Sequence, residues 1–159
     1  MCSELAGTVV VRPMTRSDVP ELLDMMRALV AFERGTDFRL DEAEIFRRGF
    51  CERPEFGVFV AEAVDGGLAG FAAHYEIPFM HNLKPLLMMK WLFVKPDRRG
   101  DGIGEQLLAC MKQHARSTGH GKFCWFVLKD NVRAQKFYRT QGAAADPEWD
   151  RWEMQVPAE

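Results

Sequence analysis

The stretch with the clearest chemical potential reads Phe93-Val94-Lys95-Pro96-Asp97-Arg98-Arg99-Gly100-Asp101-Gly102-Ile103-Gly104-Glu105. An apolar run enters a glycine-rich turn, and the turn opens a helical pattern. Glycines carry no side chain, so several backbone N–H groups can point the same way beside the positive end of a helix dipole, a geometry that binds phosphate. Arg98 and Arg99 add fixed positive charge at the same place. The dinucleotide fingerprint needs a third glycine where Glu105 stands and an acid about 20 positions on; a Walker loop needs Gly-Lys-Ser/Thr, and both are absent. A G-x-G turn also serves in many chains as a plain connection, so the surrounding elements decide its meaning.

Those elements follow from periodicity and punctuation. Leu86 to Lys95 reads as a strand ended by Pro96, and Ile103, Leu107, Leu108 and Met111 mark a helix running to about Ser117. Lys122 to Leu128 is nearly all apolar and predicts a strand buried on both faces. Ala134, Phe137 and Tyr138 mark a last helix ending at Gly142, and Trp149 to Val156 predicts a terminal strand. Upstream, Thr8 to Arg12 closed by Pro13 suits a first strand. Leu22, Leu23, Met25, Met26, Leu29 and Val30 recur at helical spacing, with Thr15, Ser17 and Asp18 competing for the cap. Asp41 with Glu44 predicts a capped second helix carrying Ile45, Phe46 and Phe50. Val58 to Val64 and Leu68 to Ile77, split by Asp65-Gly66-Gly67, predict a hairpin. The order is that of mixed α/β layers without repeats.

At 159 residues, 28% charged and 47% hydrophobic, the chain fits one compact domain spanning 1–159. The net charge of −2 gives no global reason to expect nucleic acid or an anionic membrane as partner, so any polyanion must be held locally. Cys2, Cys51, Cys110 and Cys124 lie far apart, with no C-x-x-C pair and no metal-ligand spacing to histidine. They read as reduced, mostly buried thiols, with no metal site. No leader pattern and no apolar run approaching ~18 residues is present, so a soluble cytoplasmic protein is the expectation.

Two further spacings carry a resemblance. Arg99-x-x-Gly102-x-Gly104 falls between a strand and a helix, and Asn131-x-x-Ala134-x-x-Phe137-Tyr138-x-x-x-Gly142 follows the apolar run at Phe123 to Leu128. In this order the sequence resembles the GNAT superfamily of acyl-CoA-dependent N-acetyltransferases, over essentially the whole chain. Through Phe32-Glu33, Gly49-Phe50, Val60-Ala61-Glu62, Gly70-Phe71-Ala72 and Phe137-Tyr138 it is most similar to the diamine (spermidine/spermine) branch. The resemblance implies a mostly antiparallel central sheet with one splayed strand pair and helices on both faces. It implies acetyl-CoA as acyl donor, with its pyrophosphate on the amides of Arg99, Gly100, Asp101, Gly102, Ile103 and Gly104, and its pantetheine arm along Leu92, Phe93 and Val94. Asn131 and Ala134 would fix the cofactor arm and the last helix, and Tyr138 would protonate the departing sulfur. A homodimer follows by analogy with that branch.

The expected reaction is direct attack by a primary amine of a small molecule. A lysine-like ammonium at pH 7 is neutral in about one molecule in 2,500, a cost of about 4.6 kcal/mol that the site must partly offset. Phe32 and Glu33 match the branch's acceptor side. Lys90 and Trp91 stand where the branch carries acids, which points away from polyamines toward a smaller or amino-acid-like amine, with Lys90 pairing a substrate carboxylate. Asp101 is expected to face solvent. His74 is the one histidine placed as a base, while His114 and His120 are expected to cap or solvate a helix end. Lys129, Arg133 and Lys136 form either a solvated face or a seat for the CoA ribose phosphate. Trp149 and Trp152 are read as packing or dimer residues or, since the diamine branch has a tryptophan in this region, as residues that close the acceptor pocket. Two other functions stay open: an acyl-CoA-binding sensor or interaction module without turnover, and a protein N-terminal or lysine acetyltransferase.

Overall fold

The computed structural model describes residues 9–78 and 80–157. Thr8 and Cys2 lie outside them. The chain packs as two compact units, Met1–Phe126 and Val127–Glu159, described in turn.

The first unit is built on a five-stranded sheet in the order β1 (Val9–Pro13), β2 (Gly57–Ala63), β3 (Leu68–Ile77), β4 (Leu86–Val94), β5 (Lys122–Trp125). The first three pairings are antiparallel and β4 with β5 is parallel. The β2–β3 hairpin closes at Gly66 and Gly67, whose φ of 85° and 80° demand glycine. Alternation along the strands splits the sheet into two faces. Val58, Val60, Phe71, Ala73 and Phe93 form one core with α1 (Val19–Phe32) and α2 (Glu42–Gly49) through Leu22, Met26, Leu29 and Ile45. Each such large side chain taken out of water contributes roughly 1.5–3 kcal/mol. The opposite face receives α3 (Ile103–Ser117), whose Ile103, Leu107 and Met111 are buried. Gly70 lets β3 and β4 close: a Cβ there would stand 2.5 Å from the Phe93 carbonyl oxygen and 3.2 Å from Val94 Cα.

The competition for the first cap resolves into a relay. Asp18 accepts from Thr15 N at 2.6 Å and from Thr15 Oγ1 at 2.8 Å, within a 3-10 turn that leads into α1. Arg12 clamps the same carboxylate from two nitrogens at 2.7 and 3.0 Å and reaches Glu62 at 2.7 Å. Asp18 is buried, and the Arg12 hydrogen bond holds its pKa down to about 2. Asp41 caps α2 as expected, accepting from Glu44 N at 2.8 Å.

Three expectations fail here. The strand after α3 is four residues long and, among the described residues, pairs on one side, with Phe126 and Leu128 exposed; apolar composition marked it as interior, while its place at the sheet edge leaves it half-covered. Among the described residues, 147–157 contains no strand. Charged Asp150, Arg151 and Glu153 interrupt its apolar residues, and Trp149 and Trp152 are exposed. Cys51 and Cys124 are free, but Cys110, buried on α3, is disulfide-bonded rather than a reduced thiol. Linear spacing cannot reveal a pair that only folding brings together.

The second unit holds α4 (Val132–Thr140). Asn131 caps it by accepting from Ala134 N at 3.1 Å, and Gln135 Nε2 donates to the Leu128 and Lys129 carbonyls at 3.2 and 3.0 Å. Gly142, at φ 83°, ends it in the left-handed conformation. Among the described residues, no helix is long and apolar enough to cross a membrane.

Candidate active site

Strand β4 supplies the frame. Its parallel pairing with β5 runs from Leu86↔Lys122 to Met89↔Trp125 and stops. On the other side β4 stays hydrogen-bonded to β3 through Val94↔Gly70. Among the described residues, Leu92, Phe93 and Val94 therefore have a partner strand on one edge only, the arrangement that an extended ligand needs in order to pair with the other edge. The β4–β5 ladder ends where β5 ends, at Trp125, five residues before β4 does.

The chain leaves β4 through a 3-10 turn at Pro96–Arg98 and enters the glycine turn. Gly100 and Gly102 have φ of 97° and 74°, and an added Cβ at either would meet nothing within 4 Å. Their requirement is conformational, since a left-handed L-residue costs about 1–2 kcal/mol. Gly102 caps α3 without a side chain, so the amides of Ile103, Gly104 and Glu105 begin a 15-residue helix with no side-chain acceptor on them. This cradle fits an anionic group such as a diphosphate. Arg99 is exposed and donates from Nε to the Val94 carbonyl at 3.1 Å, which ties the turn to the end of β4. Asp101 is exposed as expected, with Arg98 3.5 Å away.

A cavity of about 640 Å³ opens on the α1/α2 side of the sheet. Its apolar floor comes from Met26, Ile45 and Ala73, its aromatic wall from Phe56, Tyr75 and Trp91, and its charges from Asp37, Arg39, Glu44, Arg48, Glu55 and Lys90. Most charges neutralise one another: Arg39 holds Asp37 at 2.6 Å, and Arg48 holds Glu44 and Glu55 at 2.8 and 2.9 Å. Lys90 Nζ sits 5.7 Å from the Trp91 ring centroid, within cation–π range. Glu33 joins this pair. Partial burial raises its carboxyl pKa, while the charge of Lys90 and a hydrogen bond from Trp91 lower it. Phe32 is 62% exposed at the end of α1 and does not line the cavity.

The structure thus brings Glu33, Lys90 and Trp91 together, and runs Leu92, Phe93 and Val94 into Arg99 to Gly104. Asn131, Ala134 and Tyr138 share α4 in the second unit, where the half-buried Tyr138 ring lies 5.2 Å from that of Phe137. The loop residues Asp37, Arg39 and Phe56 were not anticipated. The one sequence signal nearby was the helical spacing of Glu44 and Arg48.

The histidines depart from expectation. His74 contributes to the cavity wall, but its ring stacks on Phe59 at 5.6 Å and meets the tilted ring of His114 of α3 at 4.8 Å, away from the α1/α2 side. Its Nδ1 is buried without a partner, and burial, followed by the charges of His114 and His120, lowers its pKa to about 4. A group so reluctant to take a proton is poorly suited as a base near neutrality. His114 and His120 do not simply solvate a helix end. His114 packs between His74 and His120, and the buried His120 meets Thr118 Oγ1 at 2.7 Å and Glu76 at 3.1 Å. The rings assemble because β3, α3 and the turn after α3 converge on one side of the sheet.

A β4 strand unpaired by β5 beyond Met89, an uncapped glycine turn and a mixed sheet match the architecture expected of an N-acetyltransferase. Residues 22–143 match the acetyltransferase (GNAT) family model, and the chain belongs to that family. It is 28% identical to the thialysine N-epsilon-acetyltransferase of Sus scrofa over 92% of this chain and 90% of that one. It is 27% identical to the spermidine/spermine N(1)-acetyltransferase-like protein 1 of Homo sapiens, over 91% of this chain but 22% of the longer protein. A crystal structure of a probable acetyltransferase superposes with a TM-score of 0.81 at 21% identity, covering 94% of this chain and 99% of that one. The protein is an acetyl-transferring enzyme of GNAT fold.

Proposed function

We propose that the chain transfers the acetyl group of acetyl-CoA to the terminal primary amine of a small amino-acid-like molecule, with 1–159 acting as one functional domain. The observation that carries this reading is the continuity of the one-sided β4 edge, Leu92 to Val94, with the uncapped helix start at Gly102. The donor supplies the activated acyl group. The amides of Gly100 to Gly104 hold its diphosphate, helped by Arg99, and the β4 backbone aligns its arm. A backbone N–H near Phe93 or Val94 stabilises the oxyanion as the amine attacks. Tyr138 protonates the leaving sulfur, a role supported by the family spacing from Asn131 and Ala134 to Tyr138 on α4.

The acceptor reading rests on charge. Lys90 is the cavity cation without a carboxylate within ion-pair distance among the described residues, and it suits a substrate carboxylate. Glu33 suits the substrate cation, while Phe32, expected beside it, lies outside the cavity lining and has no part in this reading. An acceptor with a carboxylate, a methylene stem and a distal amine matches this set, and the name of the pig relative points to such a molecule. The analogy with the diamine branch supports a homodimer, and a cytoplasmic location remains the expectation. A thiol-release screen with acetyl-CoA against amino acids, diamines and polyamines tests the reading. Lysine-like amino acids should outrun spermidine, and Tyr138→Phe should lower kcat by roughly 10²-fold or more. Spermidine as best acceptor, or a fully active Tyr138→Phe across pH, overturns the assignment.

A further inference from the structure

The cavity wall carries its own alkyl amine. Lys90 is the one lysine that lines it. Lys95, by contrast, is held by Glu21 at 2.7 Å. The strand register explains why Lys90 stands out: pairing passes from Ala73↔Trp91 to His74↔Met89, so Lys90 has no partner on β3. A bulge of this kind turns a side chain out of the ladder. The Lys90 side chain is exposed, its Nζ rests near the Trp91 ring, and Glu33 lies within electrostatic reach.

Distance supports the same point. At about 3.3 Å per residue along a strand, Leu92 and Phe93 lie about 7–10 Å from Lys90 along β4. An extended lysine side chain spans about 6 Å, enough to bring its nitrogen close to a carbonyl held at the edge of Leu92. Lys90 is thus a primary amine that both lines the cavity and lies two residues from Leu92 on the one-sided stretch of β4.

Building on the acetyl-transfer reading above, we propose that Lys90 is a self-acetylation site, modified in cis by the acetyl-CoA bound to its own chain. The neutral amine of Lys90 attacks the thioester carbonyl carbon. The N–C bond forms, the C–S bond breaks, and coenzyme A leaves as a thiol. Starting from the ammonium, two protons leave the nitrogen: one ends on the sulfur and the other passes to solvent. The product is a neutral amide where the cavity had its uncommitted cation. Acetylated Lys90 no longer attracts a carboxylate, so the modification weakens binding of carboxylate-bearing amines and leaves simple diamines less affected.

The experiment incubates the purified full chain with acetyl-CoA and no added amine, followed by intact mass and peptide mapping. Wild type should gain one acetyl group, mapped to Lys90, with a first-order rate unchanged when the protein is diluted. Lys90→Arg should gain none at that position. Gly102→Val, checked for folding by circular dichroism, should slow the gain at least about tenfold, a barrier change of about 1.4 kcal/mol. Acetylation spread over surface lysines at equal rates in wild type and Gly102→Val refutes the proposal. Unmodified Lys90 in a protein that turns over free amines refutes it while leaving the transfer reading intact. Failure to bind coenzyme A and to release thiol with any amine overturns both.

Discussion

Stability should fall as pH drops through the range where His74 refuses a proton that the unfolded chain accepts. In the fold its ring is packed between Phe59 and His114, and Nδ1 is buried without a partner. The groups facing it are Phe59 from β2, His114 from α3, and, next in the row, His120 from the following turn with Glu76 from β3. Burial and the two neighbouring imidazoles bring its pKa down from 6.5 to about 4. Above pH 6.5 both states are neutral and the site has no effect. Between pH 6.5 and 4 only the unfolded chain takes the proton, so stability declines with falling pH. At 1.36 kcal/mol per pH unit the loss across this window is at most about 3 kcal/mol. The His114 pKa is also lowered by burial, and the rings titrate as a coupled set. Urea melts at pH 7.5, 6.0, 5.0 and 4.0 measure the decline, and His74→Phe supplies the control because it keeps an aromatic ring against Phe59. Carboxylates such as Asp18, whose depressed pKa withdraws stability at lower pH, act equally in both proteins. The wild-type minus variant difference should therefore grow as pH falls from 6.5 to 4. Parallel curves would show that the buried imidazole does not control acid stability, and the physical account of the cluster would be wrong.

Two other perturbations read the frame of the site. Gly70→Ala places a Cβ 2.5 Å from the Phe93 carbonyl oxygen, a backbone atom, so β4 must shift. The expected loss is about 1–3 kcal/mol in urea melts with weaker coenzyme A binding by calorimetry, and unchanged values in both would contradict a rigid β3–β4 edge. Asn131→Ala removes the acceptor for Ala134 N and should cost about 0.5–2 kcal/mol, read in the same melts; a neutral result would mean that the α4 cap is dispensable.

The frame was legible because local rules and burial agreed along it. Gly102 and the apolar positions Ile103, Leu107 and Met111 predict the start, buried face and extent of α3, which the structure reproduces from Ile103 to Ser117. Asp41, Pro96 and the Gly66-Gly67 turn likewise act through their own backbone. What failed was relational. The apolar run after Lys122 signals burial, yet nothing within it states that the strand has one neighbour. His74, His114 and His120 are ordinary in isolation and become a cluster only when three elements meet.

The acceptor side shows the same division, with more consequence for chemistry. Lys90 and Trp91 could be seen as a substitution for acids, but their geometry depends on a bulge opposite Ala73 and His74 that alternation alone does not specify. That bulge takes Lys90 out of the ladder and leaves its ammonium near Trp91, beside a carboxylate delivered by the far end of α1. The remaining cavity charges form closed pairs, Asp37 with Arg39 and Arg48 with Glu44 and Glu55. On the proposed reading, recognition of a charged acceptor falls on Lys90 and Glu33, two opposite charges that a molecule carrying both an amine and a carboxylate would satisfy at once. A polyamine would satisfy only Glu33 and would meet Lys90 as a like charge, a repulsion that acts against it without any steric clash.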